Sequence, residues 1–255
     1  MGRKYGISTV SLVPYSLGRD GFKNSLDIAI SSLGLSGIQA LPMRGWSNDK
    51  YHYARYLGDP LDQIILSFEG SWNSGTIFQA LKRRFGSKRE GYPTFLDLYL
   101  FGRKPEAVLK VMDDVFGWDK YISHKFENSG YRYMVEIGPD NVQIQNYVDY
   151  KHGLVWDTWH VREEGMPDWR DLLSALPPES IKLIHFHPKD EGELAEFMSG
   201  KANELDDMLQ ALRLKVSPDC PLILETRPRI GSFVSRKSMM KKLRLIRDTV
   251  FDILG

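Results

Sequence analysis

The chain has 255 residues, 42% hydrophobic and 26% charged, with a formal net charge of +1. This is ordinary globular composition, long enough for one large α/β domain with an ample core. So balanced a charge gives no bulk attraction to nucleic acid or to anionic membranes, and a single cysteine, Cys220, excludes an intrachain disulfide.

Cys220 stands just before an apolar run and reads as a buried structural thiol rather than a nucleophile. The opening stretch MGRKYGISTVSLV is too short an apolar run for a secretion signal. No stretch approaches the roughly 18 apolar residues of a membrane span. The expected location is the cytoplasm.

Strand and helix patterns alternate. Residues 5–12 are β-branched and apolar and read as a strand. Residues 20–33 carry apolar positions at helical spacing, with Gly34 as a stop. A second strand is expected over 36–41, a weak aromatic helix over 47–57, a strand over 63–68 and a helix over 73–85. Residues 86–93 read as an exposed loop, 95–101 as a fourth strand, and 105–116 as a helix with Pro105 in its first turn. A fifth strand over 131–137 precedes a poor helix over 141–150. The sixth strand, 153–156, is followed by a short helix over 169–176 that Pro177 and Pro178 end. The seventh strand covers 181–186, and a helical span over 191–214 breaks near Gly200. An eighth strand over 221–224 and a basic amphipathic helix over 235–254 complete the pattern. Eight strand–helix units in about 250 residues are the repeat of a (β/α)8 TIM barrel, here a single domain over 1–255. An open doubly wound sheet is second choice, because no glycine-rich phosphate loop follows the first strand.

In such a barrel the C-terminal strand ends face one mouth, where function concentrates. The fifth to eighth strands end in Glu136, Asp157 (with His160 after it), His185 and His187, and Glu225. One acid at a strand end is commonplace. Three carboxylates crowded at one mouth repel strongly at low dielectric, and a divalent cation is the simplest neutraliser. Three carboxylates and an imidazole suit Mn²⁺, Mg²⁺, Co²⁺ or Zn²⁺. His185 and His187 lie two apart and share a strand face. His187, nearer the strand end and followed by Pro188, is the favoured ligand of the two.

Other candidates surround the mouth. Arg44 and Arg227 suit bidentate contact with a carboxylate, phosphate or hydroxyl, or pairing with a neighbouring acid. Trp46, Trp72 and Trp159 offer faces for a sugar ring, or packing between barrel and helices. Glu69 is substrate-proximal at best, and Asp190 is placed to support a ligand from behind. His52 and His124 read as surface groups.

These motifs resemble the xylose isomerase-like TIM-barrel superfamily, which includes sugar isomerases, ketose 3-epimerases, inosose dehydratase-like enzymes and endonuclease IV-type nucleases. Asp157-Thr-Trp-His160 looks like the D-x-x-H at strand six, His185-Phe-His187-Pro-Lys-Asp190 like the strand-seven H-x-H or H-x-K-D pattern, and Val135-Glu136 and Leu224-Glu225 like the glutamates ending strands five and eight. The resemblance implies metal ligands at Glu136, Asp157, His187 and Glu225, proton transfer by the two glutamates, and a substrate contact by His160. Two departures stand out. The G-E-x-N-R continuation of many epimerases is missing, and the first four strands lack the histidines of a multi-zinc cluster.

The implied function is a metal-dependent isomerase or epimerase of a sugar, working through a metal-stabilised enediolate. The alternatives are a metal-dependent dehydratase or lyase on a polyol or keto acid, and a non-catalytic barrel that binds a sugar or metabolite. The expected partner is a small sugar or polyol, with no membrane role. A nucleic-acid role is disfavoured, because the basic final helix has an apolar face suited to covering a barrel. The aromatic residues around 46–56 offer a surface for a homo-oligomer.

Overall fold

The computed structural model describes residues 3–18, 20–40, 95–100, 106–110, 133–138, 153–226 and 235–255. It is an α/β structure with a largely parallel sheet flanked by helices. The strands are β1 (Tyr5–Ser8), β2 (Gly37–Ala40), β3 (Phe95–Leu100), β4 (Glu106–Lys110), β5 (Tyr133–Glu136), β6 (Leu154–Asp157), β7 (Ile181–Phe186) and β8 (Leu222–Leu224). They are hydrogen-bonded in sequence order, and β8 pairs with β1 to close the ring. Pairing is parallel from β4 through β8 and on through β1 to β2, whereas β3 runs antiparallel to both β2 and β4.

Strands β6, β7 and β8 explain how apolar runs become a site. Every residue of β6 and β8 is buried, and Lys182 is the one exposed position in β7. Buried parallel strands are apolar on both faces, so simple alternation of polarity is absent. The faces are distinguished by what they touch. On β6, Trp156 donates its ring N–H to Met208 Sδ at 3.2 Å, and on β7 the Phe186 ring lies 5.1 Å from Phe197. Both contacts point toward helices. The two-residue period then turns Val155 and Asp157, Leu183 and His185, and Ile223 and Glu225 to the other face, inside the ring.

The helices are α1 (Gly21–Leu26, continuing as a π turn over Asp27–Ser32), α2 (Trp169–Ala175), α3 (Glu191–Met198), α4 (Glu204–Lys215) and α5 (Arg236–Leu254). Each of the last four starts at a side-chain cap. Asp168, Asp190, Asn203 and Ser235 accept from the backbone N–H of Arg170, Glu193, Asp206 and Ser238. Such caps satisfy N–H groups that the first turn leaves without intrahelical partners. Helix α5 buries Met240, Leu243, Ile246, Val250 and Leu254, a three-and-four-residue stripe. Two of its basic residues are tied to the α1–β2 corner, Arg244 donating to Ser32 O and Arg247 to Leu33 O.

Three sequence expectations change. The strand expected over 5–12 stops at Ser8, and Thr9–Leu12 forms a 3₁₀ turn. The helix expected over 105–116 contains β4 instead. The run Ala107-Val108-Leu109 is too short for periodicity to separate helix from strand, and pairing with β3 and β5 decides. The strand over 95–101 is present, but antiparallel to its neighbours, which departs from the all-parallel repeat. The elements expected over 47–57, 63–68, 73–85 and 141–150 and the loop over 86–93 lie outside the described residues, as do Arg44, Trp46, His52, Glu69, Trp72, His124 and Arg227.

Gly153 leads into β6 with φ +89°, and a Cβ there would press into Lys182 Cγ inside van der Waals contact. Gly153→Ala is therefore expected to lower stability by about 1–3 kcal/mol. A urea melt that matches wild type would contradict this.

Candidate metal centre

The strand register assembles the site. Asp157 ends β6 and pairs directly with His185 of β7, while Glu136, ending β5, pairs with Val155. His185 in turn pairs with Ile223 of β8, so Glu225 follows two residues on, just past that strand. All four side chains therefore fall on the ring-interior face. Asp157 and His185 are fully buried, and His187, Glu136 and Glu225 are nearly so.

His185 is the hub. Its Nδ1 lies 3.1 Å from Glu136 Oε2, 3.4 Å from Asp157 Oδ2 and 3.5 Å from Glu225 Oε2. His187 Nδ1 approaches Asp157 Oδ2 at 3.2 Å. His160 Nε2 lies farther off, 3.7 Å from Glu136 Oε1 and 3.9 Å from Asp157 Oδ2. The structure thus brings all six sequence-read residues of strands five to eight together. It places His185, rather than the favoured His187, against all three carboxylates.

Asp157 is held from both ends. Its Oδ1 accepts the backbone N–H groups of Trp159 and His160, at 2.8 and 3.0 Å. That leaves Oδ2 facing the three imidazoles. Burial works against ionisation of Asp157. The charges of His187 and His160, and hydrogen bonds from His185 and His187, outweigh it and hold the carboxyl well below its usual range. His185 is the mirror case. Burial disfavours its charged form, yet hydrogen bonds to Asp157 and Glu136, with the charges of Glu136 and Glu225, push its pKa up to about 10. The three carboxylates around it thus favour the imidazolium form of His185.

Do these donors fit a divalent ion? Ligand atoms about 2.0–2.2 Å from such an ion sit about 3.0–3.5 Å from one another. The contacts of His185 Nδ1 with the three carboxylates span 3.1–3.5 Å. Two overlapping sets, Glu136–Asp157–His185 and Asp157–His160–His187, have their donor atoms within 4.8 Å. Buried acidic and imidazole groups of this kind could hold a metal ion, and replacing the His185 proton by a dication would leave one less negative charge to bury.

The remaining candidates are more peripheral. Trp159 is half-buried, with Lys189 Nζ at 5.9 Å from its ring centroid. Asp190 caps α3 by accepting from Glu193 N at 2.9 Å. Cys220 is buried, its thiol pushed up to about 12 by burial despite the nearby charges of Arg3 and Lys182. Among the described residues no helix is long and apolar enough to cross a membrane.

Sequence reasoning passed over several residues that shape the site. Glu163 Oε2 lies 3.0 Å from His160 Nδ1 and so orients that ring. Thr158 Oγ1 donates to His187 O and accepts from His187 N. Ser11 Oγ donates to Leu224 O and accepts from Thr226 N, bracing both sides of Glu225. Glu163 stands three residues after His160, a spacing that could have signalled it. Ser11 carries no such signal, because its contact spans the whole chain.

No protein-family model matches the chain, and no curated protein does either.

Proposed function

We propose that the strand-end cluster binds one divalent ion (Mn²⁺, Mg²⁺, Co²⁺ or Zn²⁺) and that the chain is a metal-dependent sugar isomerase or epimerase of the xylose isomerase-like (β/α)8 class. The observation that carries this reading is the contact of one buried imidazole, His185, with Glu136, Asp157 and Glu225 at 3.1–3.5 Å. The sequential ring of strands, and the grouping of all donors at the C-terminal ends of β5–β8, support the barrel class.

Glu136, Asp157, His185 and Glu225 would hold the ion, with His187 beside Asp157. A bound ion supplies Lewis acidity toward two neighbouring substrate oxygens. Glu136 has one oxygen turned to His185 and the other toward His160, so it can serve the ion with Oε2 and exchange a proton through Oε1. Glu225, which follows β8 and approaches the same His185 Nδ1, is the second proton-transfer group. His160 is about a fifth exposed, more than any other member of the cluster. It therefore stands where a substrate oxygen would enter, with Glu163 holding its Nδ1 side.

The test is deuterium wash-in. Ketoses and aldoses incubated with metal-loaded protein in D₂O should gain deuterium at the carbon next to the carbonyl, with isomer formed in step. Loss of water from a polyol or keto acid instead would mean a dehydratase. Saturable binding with neither exchange nor elimination would mean a non-catalytic barrel.

A further inference from the structure

We infer that Arg162 is a positioning residue, whose guanidinium locks the turn that follows Asp157 and carries His160 to the loop that follows β7 just after His187, and thereby sets the metal affinity of the cluster. The inference rests on the metal-centre reading above and adds what holds its two halves in register.

Beyond Asp157 the chain leaves the sheet in a tight turn, with a 3₁₀ segment over His160–Arg162. The bonds from Trp159 N and His160 N to Asp157 Oδ1 fix this turn to its own carboxylate. They do nothing to fix it to β7, which supplies the imidazoles. Thr158 and Arg162 make that second connection. Thr158 N donates to His185 O at 3.0 Å, and its hydroxyl bridges both backbone polar groups of His187. Arg162 Nε donates to Thr158 O, while Nη1 and Nη2 engage the two oxygens of Glu193 on α3. Glu193 Oε2 also accepts from Lys189 N at 2.6 Å, in the loop just after His187. One guanidinium thus joins the turn after β6 to the loop after β7, and an ion pair at 3.6 Å extends it to Glu204 at the start of α4.

Burial separates this pair from decoration. The side chains of Arg162 and Glu193 are 7% and 14% exposed, against 53% and 60% for Arg170 and Asp207 on neighbouring helices. Exposed pairs contribute little, whereas a desolvated bidentate pair fixes geometry. Donor atoms must hold their positions to about 0.5 Å for tight coordination. A lysine could supply charge at 162 but not the fork that reaches Thr158 O and both Glu193 oxygens.

The test is metal affinity by chelator competition, together with the visible spectrum of the Co²⁺-loaded full chain. Arg162→Met and Glu193→Gln should each weaken Co²⁺ binding about 10–100-fold, the range for groups that orient ligands from behind. Both should alter the Co²⁺ ligand-field bands, which report coordination geometry and do not respond to a mere loss of stability. Arg162→Lys should recover only part of the affinity, and Arg170→Met should match wild type. Glu193→Gln keeps the side-chain shape and serves if Arg162→Met does not fold. Wild-type affinity and an unchanged spectrum in folded Arg162→Met or Glu193→Gln would overturn the inference while leaving the metal centre standing. No Co²⁺ binding by wild type would overturn both.

Discussion

Asp157→Asn should abolish divalent-metal binding while keeping the turn around residue 157 nearly intact. The amide retains an oxygen for Trp159 N and His160 N, but loses the negative charge that faces His185 and His187. Orienting groups alone change metal affinity by about 10–100-fold, so losing the central carboxylate should cost more than about 100-fold. The metal-free protein should suffer as well. Imidazoles that now face a carboxylate would face a neutral amide in a fully buried setting, and breaking a buried charge pair costs about 3–5 kcal/mol. Calorimetric titration and urea unfolding of the two proteins measure both effects. Metal affinity within a few-fold of wild type would contradict the assignment of Asp157.

The second large effect concerns His185 and pH. Its folded-state pKa of about 10 lies above the value of about 6.5 expected when unfolded. A raised pKa means that the folded state holds the proton more tightly. The stabilisation is full below about pH 6.5 and is lost as pH rises through about 10. In chelator, wild type should therefore weaken across that window, and His185→Ala should lack this part of the slope. At pH 7 the variant should also be less stable by about 3–5 kcal/mol, since three buried carboxylates lose their shared cation. With a divalent ion bound, the proton is displaced and the decline should be suppressed. Equal pH slopes for the two metal-free proteins would contradict the role of His185 as the cluster's internal cation.

The part of the site legible in the sequence follows from strand chemistry. Buried parallel strands such as Leu154–Asp157 and Leu222–Leu224 are short apolar runs, and the first polar residue at or after their ends stands out. That is why Glu136, Asp157, His185, His187 and Glu225 could be named without contacts. The choice between the two histidines was not legible, because both share a face. Register adds only that Asp157 pairs directly with His185, while His187 stands against the same carboxylate from just past the strand. Arg162 and Glu193 were hidden for another reason. Asp190 and Glu193 have the spacing of a helix cap, which accounts for Glu193 locally and conceals its partner 31 residues earlier. In the fold, the strand over Glu106–Lys110 was missed because five residues cannot display a helical period, and its pairing with β3 and β5 lies outside any local window.

The most direct test of the metal centre is the metal content of the purified protein by mass spectrometry, wild type beside Asp157→Asn. The account predicts about one equivalent of a divalent ion in wild type and none in the variant. No metal in either protein, even after incubation with Mn²⁺, Co²⁺ or Zn²⁺, would contradict it. The buried cluster would then be an ion-pair network around the His185 proton rather than a metal site.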